Sequence, residues 1–287
     1  MRRRLTFWRI LAIAGVLAAI LAMLPNNLNT RDHIARVSID GVIEDDRARD
    51  AVLEALAEDE NSKAVIIRIN SPGGTVVASE ALYLQFSKIA ESKPVVAVMS
   101  EYAASGGYIT ALASEYIVAR GNTLTGSIGV VSEIPNIAGL MEMLGVGMTR
   151  IKSAPLKAEP SFTEAPSPAA FRAQEDLIRD MFAWFRGLVE ERRGLEGSAL
   201  EAVTDGRAFT GRQALELGLV DILGDEDTAI DWLAEKHDLD PEIEVKELLW
   251  GEKANPWPLS ALSGAESAFD ALQRLKSDTP RLFAIIQ

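Results

Sequence analysis

Short apolar runs recur along the chain, each followed by a segment with helical spacing. Ile34–Ile43 alternates apolar and polar positions and predicts a strand. Arg47–Glu58 reads as a helix, and Ala64–Ile69 (AVIIRI) as a β-branched strand buried on both faces. Asn70–Gly74 (NSPGG) carries turn chemistry, and Val76–Glu91 is helical. Pro94–Met99 (PVVAVM) is a second buried strand, followed by a short helix at Ser105–Ser114 and a strand at Tyr116–Ala119. Ser127–Val131 predicts a further strand, Ile137–Leu144 a helix and Met148–Lys152 a strand. Pro155–Pro168 holds four prolines and predicts an irregular excursion. A long helix follows at Ala169–Arg193, whose stripe of Phe171, Leu177, Ile178, Met181, Phe182, Phe185 and Val189 suits a core or a subunit interface. Thr210–Leu217 and Ala229–Lys236 are further helices, and the pattern weakens after Pro241. This alternation predicts an α/β fold with a mostly parallel sheet and helices on both sides.

The first 25 residues break the pattern. Ile10–Leu24 is an unbroken run of 15 apolar or glycine residues. As helix it spans roughly 22 Å, and Leu5–Trp8 extends it toward the roughly 30 Å of a bilayer core, interrupted by a snorkelling Arg9. Arg2, Arg3, Arg4 and Arg9 keep that end in the cytoplasm and send the remainder across. A cleaved signal peptide is the competing reading, but no convincing small-x-small cleavage site precedes Pro25. The expected organisation is a basic cytoplasmic end and membrane anchor at 1–30, a folded domain at 31–240 and a C-terminal extension at 241–287. The expected location is the inner (cytoplasmic) membrane, single-pass, with the domain on the exported (periplasmic) side.

Charge sharpens that division. The 287-residue chain has a net charge of −13, and outside the first 25 residues 25 basic residues face 42 acidic ones. Phosphate binding needs a basic patch, so nucleic acid is not an expected partner. There is no cysteine and there are two histidines, His33 and His237. Thiolate catalysis and Cys-ligated metal sites are excluded, and no cofactor is expected. A serine triad would have to recruit one of two histidines lying near opposite ends of the chain.

Two glycine-bearing turns follow the buried strands: Ser71-Pro72-Gly73-Gly74 and Ala104-Ser105-Gly106-Gly107-Tyr108. In an open α/β sheet, ligands bind at the carboxyl ends of strands, where both turns fall. Ser105 is then a candidate nucleophile, and the Gly74 and Gly106 N–H groups candidate oxyanion donors. Either turn alone is equally compatible with a capping serine and glycines that close a turn. A lysine can serve as base if burial disfavours its ammonium form. Most lysines lie in polar stretches; the exceptions are Lys152 and Lys157 in Ile151–Ala158 (IKSAPLKA).

At these residues the chain resembles the bacterial signal peptide peptidases of the SppA type, serine–lysine peptidases of the ClpP/crotonase superfamily. The matching pieces are NSPGG (70–74), AASGGY (103–108), TGSIGV (125–130), KSAPLKA (152–158) and DGRAFTGRQALELGLVD (205–221), in family order. The resemblance implies a ClpP/crotonase-like spiral of repeated β-β-α units with a mostly parallel sheet, preceded by one N-terminal transmembrane helix. It implies Ser105 as nucleophile, Lys157 as general base and Ser127 as the residue orienting the lysine. Gly74 and Gly106 would supply the oxyanion N–H groups, and Lys152 would be structural. Ala154 departs from the glycine usual in the KSGxxK pattern. Arg207 and Thr210 are expected to organise the fold. A ring- or dome-like homo-oligomer is implied, with serine and lysine drawn from neighbouring subunits in short members. The implied substrates are apolar, unfolded peptides, chiefly leftover signal peptides at the membrane. A crotonase-like acyl-CoA enzyme and a non-catalytic membrane-associated scaffold of the same fold are the alternatives.

Overall fold

The structure is a computed structural model that describes residues 31–251 and 283–284. The predicted anchor at 1–30 lies outside the described residues, and among those described no helix is long and apolar enough to cross a membrane.

The sheet is built on β1 (His33–Ile43), β2 (Ser62–Thr75) and β3 (Val95–Ala104), parallel neighbours in the order β1-β2-β3. Alternate residues of these strands enter two separate cores. Ala35, Val37, Ile39, Val65, Ile67, Ile69, Val95, Ala97 and Met99 face one core; Ile34, Ala64, Ile66, Val96 and Val98 face the other. That period of two, apolar on both faces, is why the sequence reads as continuous hydrophobic runs. On the first face pack α1 (Arg47–Glu58), α2 (Val76–Ala90), α3 (Gly106–Ala111) and the end of α5 (Pro168–Arg193), through residues such as Leu53, Phe86, Ile109 and Phe185. On the second lies α8 (Glu226–His237), through Ala229 and Leu233.

β3 is a branch point. Its first half pairs with β4 (Tyr116–Ala119), and its last residues, Tyr102–Ala104, pair with β5 (Leu124–Gly126), both in parallel. β5 is flanked antiparallel by β6 (Ala208–Thr210), and β4 in parallel by β7 (Ile222–Leu223). β8 (Glu244–Glu247) adds in parallel to β1, so the sheet extends beyond residue 240. β9 (Phe283–Ala284) pairs antiparallel with the end of β2. The remaining helices are α4 (Ala138–Met143), α6 (Gly197–Val203) and α7 (Gly211–Glu216).

Helix starts follow their caps. Asp46 accepts from the Ala48 and Arg49 N–H groups, Thr75 from Ala78, and Ser167 from Ala170 with Pro168 next in line. Thr210 and Gln213 form a capping box at α7, the structural role expected of Thr210.

Three expectations are corrected. NSPGG is not a turn: β2 runs through it to Thr75. The ladder to β1 shifts between Asp40 and Val42, and that to β3 between Ile69 and Ser71, so Pro72, which lacks an N–H, has no partner in either register. The strand expected at Ser127–Val131 falls instead at Leu124–Gly126, because Ser127 turns out of the ladder with a φ of 48°. Met148–Lys152 forms no strand: among the described residues no strand pairs with it, and Ile151 is 99% exposed.

Candidate active site

The ends of β2 and β3 press two glycine-bearing segments together. A Cβ on Gly106 would sit 3.2 Å from the Gly74 nitrogen, and one on Gly107 would sit 2.8 Å from the Ser71 carbonyl oxygen. A Cβ on Gly74 would overlap the Ile43 carbonyl oxygen at 1.9 Å. At Gly74 a side chain is excluded by backbone, whereas at Gly106 it is excluded first by the Ser79 hydroxyl. Ser71 stiffens the first turn, its buried hydroxyl accepting from the Gly73 N–H at 3.0 Å.

Ser105 sits between β3 and α3 with φ 53° and ψ −117°. For a residue with a Cβ such a conformation costs about 1–3 kcal/mol and persists only where the surroundings enforce it. The enforcement is visible: the Ser105 N–H donates to the Gly126 carbonyl at 2.8 Å, and its carbonyl accepts from Ile109 at 2.9 Å. The Thr125 hydroxyl donates to the Ala103 carbonyl at 2.7 Å, locking β5 to the end of β3. Ser105 is buried, yet its Oγ has no hydrogen-bond partner. An unsatisfied buried hydroxyl costs about 1–3 kcal/mol. Strain and an orphaned hydroxyl on one residue contribute nothing to stability. They are what a poised nucleophile needs.

Ser127 follows in the adjacent turn, buried, its N–H donating to the Arg207 carbonyl at 2.9 Å. Gly126 before it has φ 75°, and a Cβ there would meet the Phe209 ring at 2.7 Å. The DGRAFTG segment thus holds the Ser127 turn through backbone and ring. Arg207 spends its side chain on Asp205.

The possible bases separate by topology. His33 pairs with Ser62 at the beginnings of β1 and β2, whereas Ser105 follows the end of the parallel β3. His237 contacts Glu115 at 3.1 Å, and the Glu115 N–H donates to Val95 at the start of β3. Both histidines therefore lie at the end of the sheet opposite Ser105. The buried Lys93 lies there too, its amine donating to the Leu56 and Asp59 carbonyls at 2.8 Å each. Burial lowers its pKa, but it is at the wrong end of the sheet.

Lys152 and Lys157 remain. Lys152 is bonded to Glu159, with Arg150 3.6 Å from the same carboxylate, and the Lys152 bond holds Glu159 below its ordinary pKa. Lys157 is exposed, and its amine makes no hydrogen bond or ion pair among the described residues. Within one chain, then, the structure brings Ser105, Ser127, Gly74 and Gly106 together but leaves Lys157 apart from the unpartnered Ser105 hydroxyl.

The sequence reading missed Ser79. Its hydroxyl donates to the Thr75 carbonyl at 2.9 Å, and a Cβ on Gly106 would come within 2.2 Å of it. It forms the buried wall behind the oxyanion glycines. A serine inside an amphipathic helix carries no local signal of that role.

Known proteins resemble this chain in sequence. The model of peptidase family S49 matches residues 87–240, more than half of the chain, and that of Clp protease matches residues 27–121. The chain is 41% identical over 220 residues to slr0021, a candidate protease of Synechocystis sp., covering 76% of this chain and 79% of that protein. It is 32% identical over 240 residues to a candidate signal peptide peptidase SppA of Enterococcus faecium, covering 80% and 70% respectively. Protease 4 of Salmonella typhi is 38% identical over 178 residues, covering 62% of this chain and 29% of that longer protein. The strained Ser105, the paired glycine turns and these similarities converge: the chain belongs to peptidase family S49 and is a serine peptidase.

Proposed function

We propose that the protein is a membrane-anchored serine endopeptidase with a Ser105–Lys157 dyad that degrades leftover signal peptides and other apolar, unfolded peptides at the exported face of the cytoplasmic membrane. The observation that carries the dyad is the buried, unpartnered Ser105 hydroxyl, one residue before the Gly106 backbone that approaches the Gly74 nitrogen, with no histidine at that end of the sheet. Neutral Lys157 accepts the Ser105 proton as Oγ attacks the scissile carbonyl. The Gly74 and Gly106 N–H groups hold the resulting oxyanion. Lys157 then protonates the leaving amine, and water, activated by the same lysine, hydrolyses the acyl-enzyme. Ser127 orients the amine.

Lys157 reaches Ser105 from a neighbouring subunit in a ring- or dome-like homo-oligomer. The support is the segment that carries it. α4 has no buried residue, and Met143, Leu144 and Ile151 are strongly exposed. Pro160, Phe171 and Ile178 line an apolar cavity of about 410 Å³ nearby. Exposed apolar side chains grouped on one segment are what a contact with a second copy would cover. The membrane assignment rests on the Ile10–Leu24 run behind four arginines, and the substrate class on the SppA-type resemblance.

A fluorophosphonate probe tests the nucleophile. Labelling is expected on Ser105 and lost in Ser105→Ala; labelling that survives the substitution overturns it. An alkaline phosphatase fusion after residue 35 is expected to be active, and an inactive fusion overturns the orientation.

A further inference from the structure

Lys157 sits in a stretch with no ladder or helix to hold it. Between α4 and α5, residues 144–167 form neither strand nor helix, and residues 153–158 are all exposed. The Glu159 carboxylate, two residues after Lys157, is nevertheless only 9% exposed. It meets two cations from the other side of the lysine: Lys152, hydrogen-bonded to Oε1, and Arg150, whose Nη1 lies 3.6 Å from the same oxygen. A carboxylate so far out of water needs such partners. The Lys152 bond holds it below its ordinary pKa, so it stays charged at neutral pH. Arg150 makes a second contact, its Nη2 donating to the Ala158 carbonyl at 3.0 Å. Ala158 has a φ of 59°, which a residue with a Cβ keeps only where its surroundings enforce it. Arg150 thus holds both the strained residue after Lys157 and the carboxylate after that. The Lys157 N–H donating to Ala154 at 3.1 Å and the Glu159 N–H donating to Leu156 at 3.3 Å complete the turn.

We infer that Glu159 is a positioning residue for the general base: clamped by Arg150 and Lys152, it closes residues 150–159 into a loop that fixes how the Lys157 amine is presented to its serine. This rests on the reading of Lys157 as the base. An isolated exposed ion pair would hold a loop weakly. Here a largely buried carboxylate and the Ala158 contact join three side chains and the backbone into one unit. The clamp also keeps the carboxylate occupied, and the Lys157 amine makes no ion pair among the described residues, as a base that works in its neutral form requires. Arg150 and Lys152 share the carboxylate, but only Arg150 holds Ala158, so loss of Lys152 alone leaves the turn in place.

The test uses the full chain with Glu159→Gln, which keeps the shape and removes the charge, and with Arg150→Lys, which keeps the charge and removes the fork that reaches Ala158. Hydrogen exchange is followed over residues 150–161, with turnover of an apolar fluorogenic peptide and the rate of Ser105 labelling by a fluorophosphonate. Both variants are expected to exchange faster there and to lose about 10- to 100-fold in kcat, the cost of a misplacement of about 1 Å, with KM unchanged. The thermal melt should stay in place, because the loop contributes little to the core. In a Lys157→Ala background, Glu159→Gln should slow labelling no further, because it acts through the lysine. Unchanged exchange overturns the clamp. Faster exchange with unchanged kcat, or a loss that multiplies in the Lys157→Ala background, overturns the positioning role. If Lys157→Ala itself keeps full activity, the reading of Lys157 as base fails, and the exchange comparison still decides whether Glu159 holds the loop.

Discussion

Gly74 and Gly106 look interchangeable in sequence, but their surroundings differ in hardness. A methyl on Gly74 meets the Ile43 carbonyl, which is backbone and cannot step aside. A methyl on Gly106 meets first the Ser79 hydroxyl, which can rotate. Gly74→Ala is expected to destabilise the fold by about 3 kcal/mol or more, at the upper end of overpacking costs. Gly106→Ala is expected to fold and lose about 10²–10³ in kcat by displacing the oxyanion donors. Adding Ser79→Ala to Gly106→Ala should return part of that loss; denaturant melts and kcat for the three variants check the order. The lysines separate in the same way. Lys152→Ala forfeits a contact to Glu159 and should retain most activity, whereas Lys157→Ala should lose about 10²–10⁴, the usual worth of a general base. Equal losses would reassign the base. Lys93 gives a pH prediction. Its folded pKa is lowered from 10.5, so above that folded value the unfolded chain binds the extra proton. Stability should therefore rise with pH through the alkaline window below 10.5, and Lys93→Met should flatten that rise.

At the scale of elements, Ser105 is held from behind. α3, which begins at the strained turn, contributes Tyr108, fully buried, whose hydroxyl donates to the Leu219 carbonyl at 2.8 Å. Burial pushes the Tyr108 phenol far above its ordinary pKa, so it stays a donor at any working pH. Two residues on, Asp221 accepts from the Ile117 N–H and pairs with Arg193 at 2.8 Å. Tyr108→Phe leaves the Leu219 carbonyl without this donor and should cost about 1–2 kcal/mol. A thermal melt should fall by about 2–4 °C per kcal/mol, with labelling of Ser105 slowed less than stability falls. An unchanged melt would show that α3 does not depend on this anchor. Elements of this kind were legible where local pattern and tertiary role agree. Arg47–Glu58 and Tyr116–Ala119 fall at the boundaries their patterns predict. NSPGG misled because proline and glycine announce a turn, yet two ladder shifts accommodate them in a strand. Met148–Lys152 misled because alternation alone forms no strand without a neighbour. In the site, the turns were readable as motifs, whereas the wall formed by Ser79 and the clamp of Phe209 on Gly126 depend on contacts far apart in sequence.

For the whole molecule, the unresolved tension is a lysine without its serine. One chain supplies Ser105 buried and unpartnered, and Lys157 exposed on a segment whose apolar residues face outward. Under the proposed shared site a second copy would relieve both at once: covering Met143, Leu144 and Ile151 would remove apolar surface from water, and the same contact would bring Lys157 to Ser105. Under that proposal, contacts repeated head to tail would close a ring where the rotation between copies allows it. Two measurements follow. Met143→Asp/Leu144→Asp should dissociate the assembly and abolish turnover while leaving the melt of the monomer within about 0.5 kcal/mol, as for other surface substitutions. Co-assembling equal amounts of Ser105→Ala and Lys157→Ala chains should restore activity at about a quarter of the sites, because in a heterologous ring one site in four then draws its serine from one variant and its lysine from the other. Mixed assembly confirmed by native mass spectrometry without any recovered turnover would place both groups in one subunit. Activity in the dissociated aspartate variant would show that a single chain suffices.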